Sequence, residues 1–192
     1  LNVNKAYGLL LHDSSQIEEL GKIFNKTFMD LKSEGLVEKI GLSAYTPEEI
    51  AKASTLIDLD IVQVPFNIID RRLLETGWLN RLHDAGVEIH ARSIFLQGLL
   101  INKKKIIPKK LRGEIKNIIK WKKFCAKNNL SSLEGCINYV RNFKQIRGIV
   151  FGIDNLNHLI EIKNLLIKKK KKVNFNIKVS KKSLMLDARK WV

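Results

Sequence analysis

The chain has 192 residues, 45% of them hydrophobic and 28% charged, which excludes a disordered chain and is enough for one domain with a real core. The formal net charge is +16, and the excess is mostly lysine, in KKK at 103–105 and KKKKK at 168–172. Isoleucine and asparagine are abundant too, so the charge reads as a compositional bias and a solvated surface rather than as a dedicated polyanion site.

Tyr7–His12, with the run YGLLL, predicts a buried strand. From Ser15 to Leu31, the residues Ile17, Leu20, Ile23, Phe24, Phe28 and Leu31 recur at spacings of three and four. That period predicts an amphipathic helix, capped by Ser14 or Ser15 with Glu18 in the first turn, or by Asp13, and Gly35 follows its end. VEKIGLS predicts a second strand ending at Ser43. Thr46-Pro47-Glu48-Glu49 opens the next helix with a cap, a proline and two acids. DIVQVPFN reads as the third strand, Arg71 to Asp84 as one helix, and AGVEIHARS as the fourth strand after Gly86. Gly98 to Pro108 is a loop. Helices follow from Leu111 to Lys127 and from Ser131-Ser132 to Asn142. Arg147 to Phe151 reads as the fifth strand and Asn155 to Lys169 as a helix capped by Asp154 or Asn155. From Val173 no element is predicted, and the end SLMLDARKWV is expected to fold back through Leu186 and Trp191.

Strand and helix alternate at intervals of roughly 25–30 residues, the pattern of a parallel α/β sheet with helical crossovers. An open sheet and a barrel both fit. The strand ends read His12-Asp13, Ser43, Gln63 to Asn67, Arg92-Ser93 and Gly152 to Asp154. Polar groups gathered at one edge favour a parallel (β/α)8 TIM barrel with its site at the C-terminal face. Only about the last five strands of such a barrel, with their helices, are in this chain. Residues 1–172 are read as the partial barrel, the fourth to eighth strand–helix units, and 173–192 as a tail packed back on it. The chain begins with leucine and is read as part of a longer protein. Alone, its two open sheet edges make a robust monomer unexpected.

No apolar run is long enough to span a membrane, and the first residues lack the features of a signal peptide. Cys125 and Cys136 form no CxxC, so they are read as buried, reduced thiols, consistent with a cytoplasmic protein. His12, His83, His90 and His158 fall in no metal-binding pattern, and no metal is expected. The tryptophans do not alternate with basic residues, so neither a nucleic-acid nor a membrane partner is expected. No GxGxxG loop is present.

Five segments, LLLHDSS, KIGLSAYTPEEI, VQVPFNIIDRRL, GVEIHARSIFLQGLL and RGIVFGIDNLNHLIEI, resemble in order the fourth to eighth barrel strands of the aldo-keto reductase family. The tail DARKW is similar to the closing segment of an oxidoreductase subgroup of that family. The resemblance covers nearly the whole chain. It implies an NADPH-dependent reduction of an aldehyde or ketone. A hydride passes to the carbonyl carbon, a tyrosine supplies the proton, a lysine and an aspartate tune that tyrosine, and a histidine orients the carbonyl oxygen. The histidine matches His12, and the other three are expected upstream of this segment.

For the cofactor, the resemblance assigns Ser43 and Gln63 to the nicotinamide carboxamide. Ala44 stands where the family commonly has an asparagine. Arg92 occupies the place of a stacking aromatic. Ser93 and the loop with Phe95, Leu96 and Gly98 run along the pyrophosphate. Phe95 and Leu96 either pack on the cofactor or fill the core. Asp154 and Asn155 open a helix whose free amides suit phosphate or ribose. His158 matches an arginine that grips the 2'-phosphate, and Glu161 an acid near the adenine. NADP is therefore expected, with NAD as the alternative, and lysines 103–105 are expected to compensate for the absent arginine. The expected partner is a small carbonyl compound, anionic or sugar-derived, and the full-length protein is expected to be a monomer or weak dimer. The competing reading is a non-catalytic relative on the same scaffold, sensing a cofactor or binding another protein.

Overall fold

A computed structural model describes residues 2–102 and 107–191. Lysines 103–105, given a phosphate-gripping role above, lie outside the described residues. The parallel strands β1 (Ala6–Leu11), β2 (Val37–Ser43), β3 (Ile61–Pro65), β4 (Glu88–Arg92) and β5 (Ile146–Ile149) form one sheet in that sequential order. This is the α/β architecture expected of the last five strands of a parallel barrel. The chain divides into two compact units, Leu1–Pro65 with Arg72–His90, and Phe66–Arg71 with Ala91–Val192.

In the first unit β1 and β2 pair in parallel, Leu10 opposite Gly41 and Leu11 opposite Leu42. β2 and β3 pair with Gly41 opposite Ile61 and Ser43 opposite Gln63. A Cβ built on Gly41 would stand 1.8 Å from the Ile61 carbonyl oxygen, so only glycine lets these strands approach. Asp60 fixes the start of β3. Its N–H donates to the Ile40 carbonyl at 2.9 Å, and its carboxylate accepts the Ile40 N–H at 2.9 Å and the Lys32 ammonium at 2.7 Å. The core holds Ile40, Leu42, Ile50, Val62, Leu73 and Leu79. β1 differs from the buried strand expected: Tyr7 is 51% and Leu9 37% exposed. Among the described residues β1 pairs with β2 alone, so its other edge is uncovered.

Helix α1 (Ile17–Ser33) follows a 3-10 turn at Ser14–Gln16. Asp13, not Ser14 or Ser15, caps that turn, accepting the Ser15 N–H at 2.9 Å. The Ser14 hydroxyl is drawn away to Glu49. Helix α2 (Pro47–Ala53) has the expected start: Thr46 accepts the Glu49 N–H, and Pro47 stands at the first position. The single helix expected from Arg71 to Asp84 is two, α3 (Arg72–Glu75) and α4 (Trp78–Asp84). Gly77 takes φ +79° between them, a left-handed turn that an unbroken helix does not contain.

In the second unit, Val150 donates its N–H to the Ala91 carbonyl at 2.8 Å. A 3-10 turn at Lys109–Glu114 precedes α5 (Ile115–Lys127), so the α-helix begins four residues later than expected. Helices α6 (Ser132–Arg141) and α7 (Leu156–Ile167) follow. Trp121, Cys125, Cys136, Ile137 and Val140 are buried together with Leu111 and Ile118 as this unit's core. The residues after α7 pack on this unit's helices and on one another. Phe175 meets the Trp121 ring at 5.2 Å, Leu186 is buried, and the Trp191 indole donates to the Leu184 carbonyl at 2.7 Å. Glu114 accepts the Leu184 N–H at 3.1 Å and also the Ser183 hydroxyl.

Candidate active site

The first unit lines up three polar side chains at the C-terminal ends of adjacent strands. Ser43 ends β2 and faces Gln63 in register, so both side chains stand on one face of the sheet. Leu11 pairs with Leu42, and His12 follows in step with Ser43. Among the described residues, the His12 imidazole, the Ser43 hydroxyl and the Gln63 amide have no hydrogen-bond partner. Ser43 is nevertheless buried and Gln63 half-buried. His12 is exposed, and of the three it is Ser43 and Gln63 whose burial without internal partners suits a ligand that supplies them. Ala44 is fully buried and its N–H donates to the Gln63 carbonyl at 2.9 Å, so position 44 serves the packing rather than a ligand.

Toward the N-terminal ends of β1, β2 and β4 lies a second polar group. Glu88 accepts from Lys39 at 2.6 Å and from Tyr7 at 2.8 Å, with the His90 ring nitrogen 3.5 Å away. Burial pushes the Glu88 carboxyl up, but the Lys39 and Tyr7 hydrogen bonds outweigh it and leave it below the usual value. The same hydrogen bond, donated by Lys39 to Glu88, with help from Tyr7, holds the Lys39 ammonium above its usual value.

The second unit carries the remaining candidates. Arg92 ends β4, half-buried, with a guanidinium nitrogen 3.4 Å from the Ser93 hydroxyl oxygen. Ser93, Leu96, Gln97 and Gly98 all take positive φ, between 49° and 80°. Three non-glycine residues in the left-handed region within so short a loop is unusual, and such backbone is held by its surroundings. Asn67 ties down its first residue: its amide nitrogen donates to the Ser93 carbonyl at 3.0 Å, and its oxygen accepts from Ile69 and Asp70 at 2.8 and 2.9 Å. Phe95 lies against the Phe151 ring at 6.0 Å and keeps exposed surface. Leu96 is 4% exposed, so of its two expected roles the structure gives core filling.

At the start of α7, Asn155 is the cap, accepting the His158 N–H at 3.0 Å. Asp154, His158 and Glu161 are exposed, and the His158 ring sits 3.6 Å from the Asp154 carboxylate. A carboxylate beside the imidazole opposes a phosphate at this point, unlike the arginine fork the family often has.

Glu49 was not singled out by sequence, although Thr46-Pro-Glu-Glu49 has the capping-box spacing that makes an N3 glutamate reach backward. It reaches beyond the cap. Its Oε2 accepts the Tyr45 N–H at 2.6 Å and the Ser14 hydroxyl at 2.8 Å. Among the described residues no cluster of His, Cys, Asp and Glu could hold a metal ion, and no helix is long and apolar enough to cross a membrane.

The model of the aldo/keto reductase family matches residues 1–179. Among solved structures, the chain is similar to an aldo-keto reductase from Bacillus halodurans in its apo form, at 18% identity and a TM-score of 0.73, over 88% of this chain and 59% of that one. The holo form of that protein gives 17% identity and a TM-score of 0.72, over 88% and 58%. A glycerol dehydrogenase from Gluconobacter oxydans gives 17% and 0.57, over 92% and 64%. At these identities the likeness is one of fold, and the chain spans less than two thirds of each of these proteins. Among curated proteins none matches the chain.

Proposed function

The chain belongs to the aldo/keto reductase family, and from that premise we propose that it carries the carbonyl-orienting and cofactor-holding part of an NAD(P)H-dependent oxidoreductase acting on an aldehyde or ketone. The observation that supports this most is the row His12, Ser43 and Gln63, three polar groups without internal partners among the described residues, ending three adjacent parallel strands. A nicotinamide carboxamide offers an acceptor oxygen and an amide donor, which complement a serine hydroxyl and a glutamine amide. The residues present therefore fit the nicotinamide end.

The chemistry supplied by a bound reduced nicotinamide is delivery of a hydride to the carbonyl carbon. The His12 imidazole donates a hydrogen bond to the carbonyl oxygen, where negative charge develops. Ser43 and Gln63 would hold the carboxamide through the serine hydroxyl and the glutamine amide and so orient the nicotinamide. In the second unit, Arg92, Ser93 and the loop through Phe95 and Gly98 would hold a pyrophosphate, the Arg92 cation offsetting its charge. Asn155, which caps α7, and the neighbouring Asp154, His158 and Glu161 would face the adenosine end. The tyrosine, lysine and aspartate of the family's reaction belong, in this reading, to strands upstream of the segment. The substrate is a small carbonyl compound and the protein cytoplasmic, a reading supported by two thiols that are free and buried.

The test is turnover of a panel of aldehydes with NADPH and NADH by the intact protein and its His12→Ala variant. Loss of an oxyanion-side donor is expected to lower kcat by roughly a hundredfold. Turnover untouched by the substitution contradicts the role of His12. Tight dinucleotide binding without any carbonyl turnover points instead to the cofactor-sensing alternative.

A further inference from the structure

Two turns must keep their places for the row of polar side chains to work. One begins at His12 and runs through Asp13 to Ser14. The other begins at Ser43 and runs through Ala44 to Tyr45. A single atom touches both: Glu49 Oε2 accepts the Ser14 hydroxyl at 2.8 Å and the Tyr45 N–H at 2.6 Å. The Tyr45 peptide is also held from its other side, where the Arg72 guanidinium donates to its carbonyl at 2.9 Å. Glu49 is itself anchored, since its own N–H is bound by the Thr46 hydroxyl at 3.2 Å. Ser14 is buried, so its hydroxyl has little access to replacement water. Hydrogen bonds to an ionised carboxylate are short and stronger than neutral ones.

We propose that Glu49 is a positioning residue, whose one carboxylate oxygen locks the His12 turn to the Ser43 turn and so sets the carbonyl-orienting group against the nicotinamide-holding one. The inference rests on the function proposed above. Glu49 touches neither substrate nor cofactor in this account. It acts through Ser14 on His12, two residues earlier, and through Tyr45 on Ser43, again two residues earlier.

The intact protein is tested as wild type, Glu49→Ala, Glu49→Gln, Ser14→Ala and the Ser14→Ala/Glu49→Ala double variant. Glu49→Ala is expected to lower kcat by about tenfold with the carbonyl KM changed less, because misplaced groups cost rate before affinity. Glu49→Gln keeps an acceptor oxygen at the same place and is expected to restore kcat to within about threefold. Ser14→Ala is expected to add no further loss to Glu49→Ala, since both remove one interaction. A lowered Tm with kcat unchanged, no rescue by glutamine, or independent multiplying losses each overturn the proposal. Two readouts need no turnover: the His12 ring resonances and hydrogen exchange at the Tyr45 amide. In Glu49→Ala the ring signals should shift and the amide should exchange at least about tenfold faster. If the wild type neither binds dinucleotide nor reduces carbonyls, the functional reading fails. The positioning claim is then decided by these two signals, and unaltered signals overturn it.

Discussion

Glu88 gathers Lys39, Tyr7 and His90 around one carboxylate, and its stability contribution depends on pH in a definite sense. Its folded carboxyl lies below the ordinary 4.5, so the contribution is complete above that value and is lost as pH falls through the lower folded value. Lys39 lies above its ordinary 10.5, so its contribution is complete below 10.5 and is lost as pH rises through the higher folded value. Glu88→Gln should therefore lower Tm by about 3–6 °C between these limits, with the gap closing in acid. Thermal melts at pH 3, 7 and 9 check it. At the adenosine end, Asp154→Asn should tighten NADPH binding about two- to threefold and leave NADH unchanged, because a repelling carboxylate is removed from beside His158. Cofactor titration checks this. Burial pushes the Cys125 thiol up to about 11, so a thiol reagent at pH 8 should label it only after unfolding. At this scale, the places of Ser43 at the end of β2 and Gln63 within β3 were legible because a polar residue stands out at the end of or within an apolar strand. Glu49 was not, because in a helix's first turn an acid already has a sufficient local explanation, and its bond to Ser14 spans 35 residues.

Among the elements, β2 and β3 depend on a contact with no tolerance. Gly41→Ala places a methyl against the Ile61 carbonyl, a backbone atom that cannot swing aside. The expected result is loss of the folded far-UV signal, or a Tm lower by more than about 10 °C. A melt like that of the wild type contradicts the register. Thr46→Ala removes the α2 cap and should cost about 1 kcal/mol, measurable by urea unfolding. The strands and α2 were readable because apolar runs, turn residues and caps all agreed there. The α3–α4 break was hidden because Leu73, Leu79 and Leu82 keep a helical apolar face on both sides of Gly77. Sequence left Asp13, Ser14 and Ser15 all open as the cap before α1, because serine and aspartate are both good caps in adjacent positions. Tertiary demand decided between them: Glu49 claims Ser14 and leaves Asp13 to cap.

At the scale of the molecule, apolar surface remains at the outer elements of the sheet order. Tyr7 and Leu9 are exposed on β1, while Leu156 is 68% and Ile167 75% exposed on α7, beyond β5. Expressed as this segment, the protein should bind a hydrophobic dye and self-associate, and a dye-free monomer by light scattering would contradict that. The strand order was legible because β1 to β5 follow one another in sequence with helices between them. The exposure of β1 was not, because an apolar strand reads alike with one neighbour or two. The central claim is that the ends of β1, β2 and β3 hold a nicotinamide beside a carbonyl-orienting histidine. It is tested most directly by titrating NADPH and NADH into the intact protein and its Gln63→Ala variant, following nicotinamide fluorescence. Saturable binding that weakens about tenfold or more in the variant is the expected result. Absence of binding, or binding indifferent to Gln63, contradicts the account.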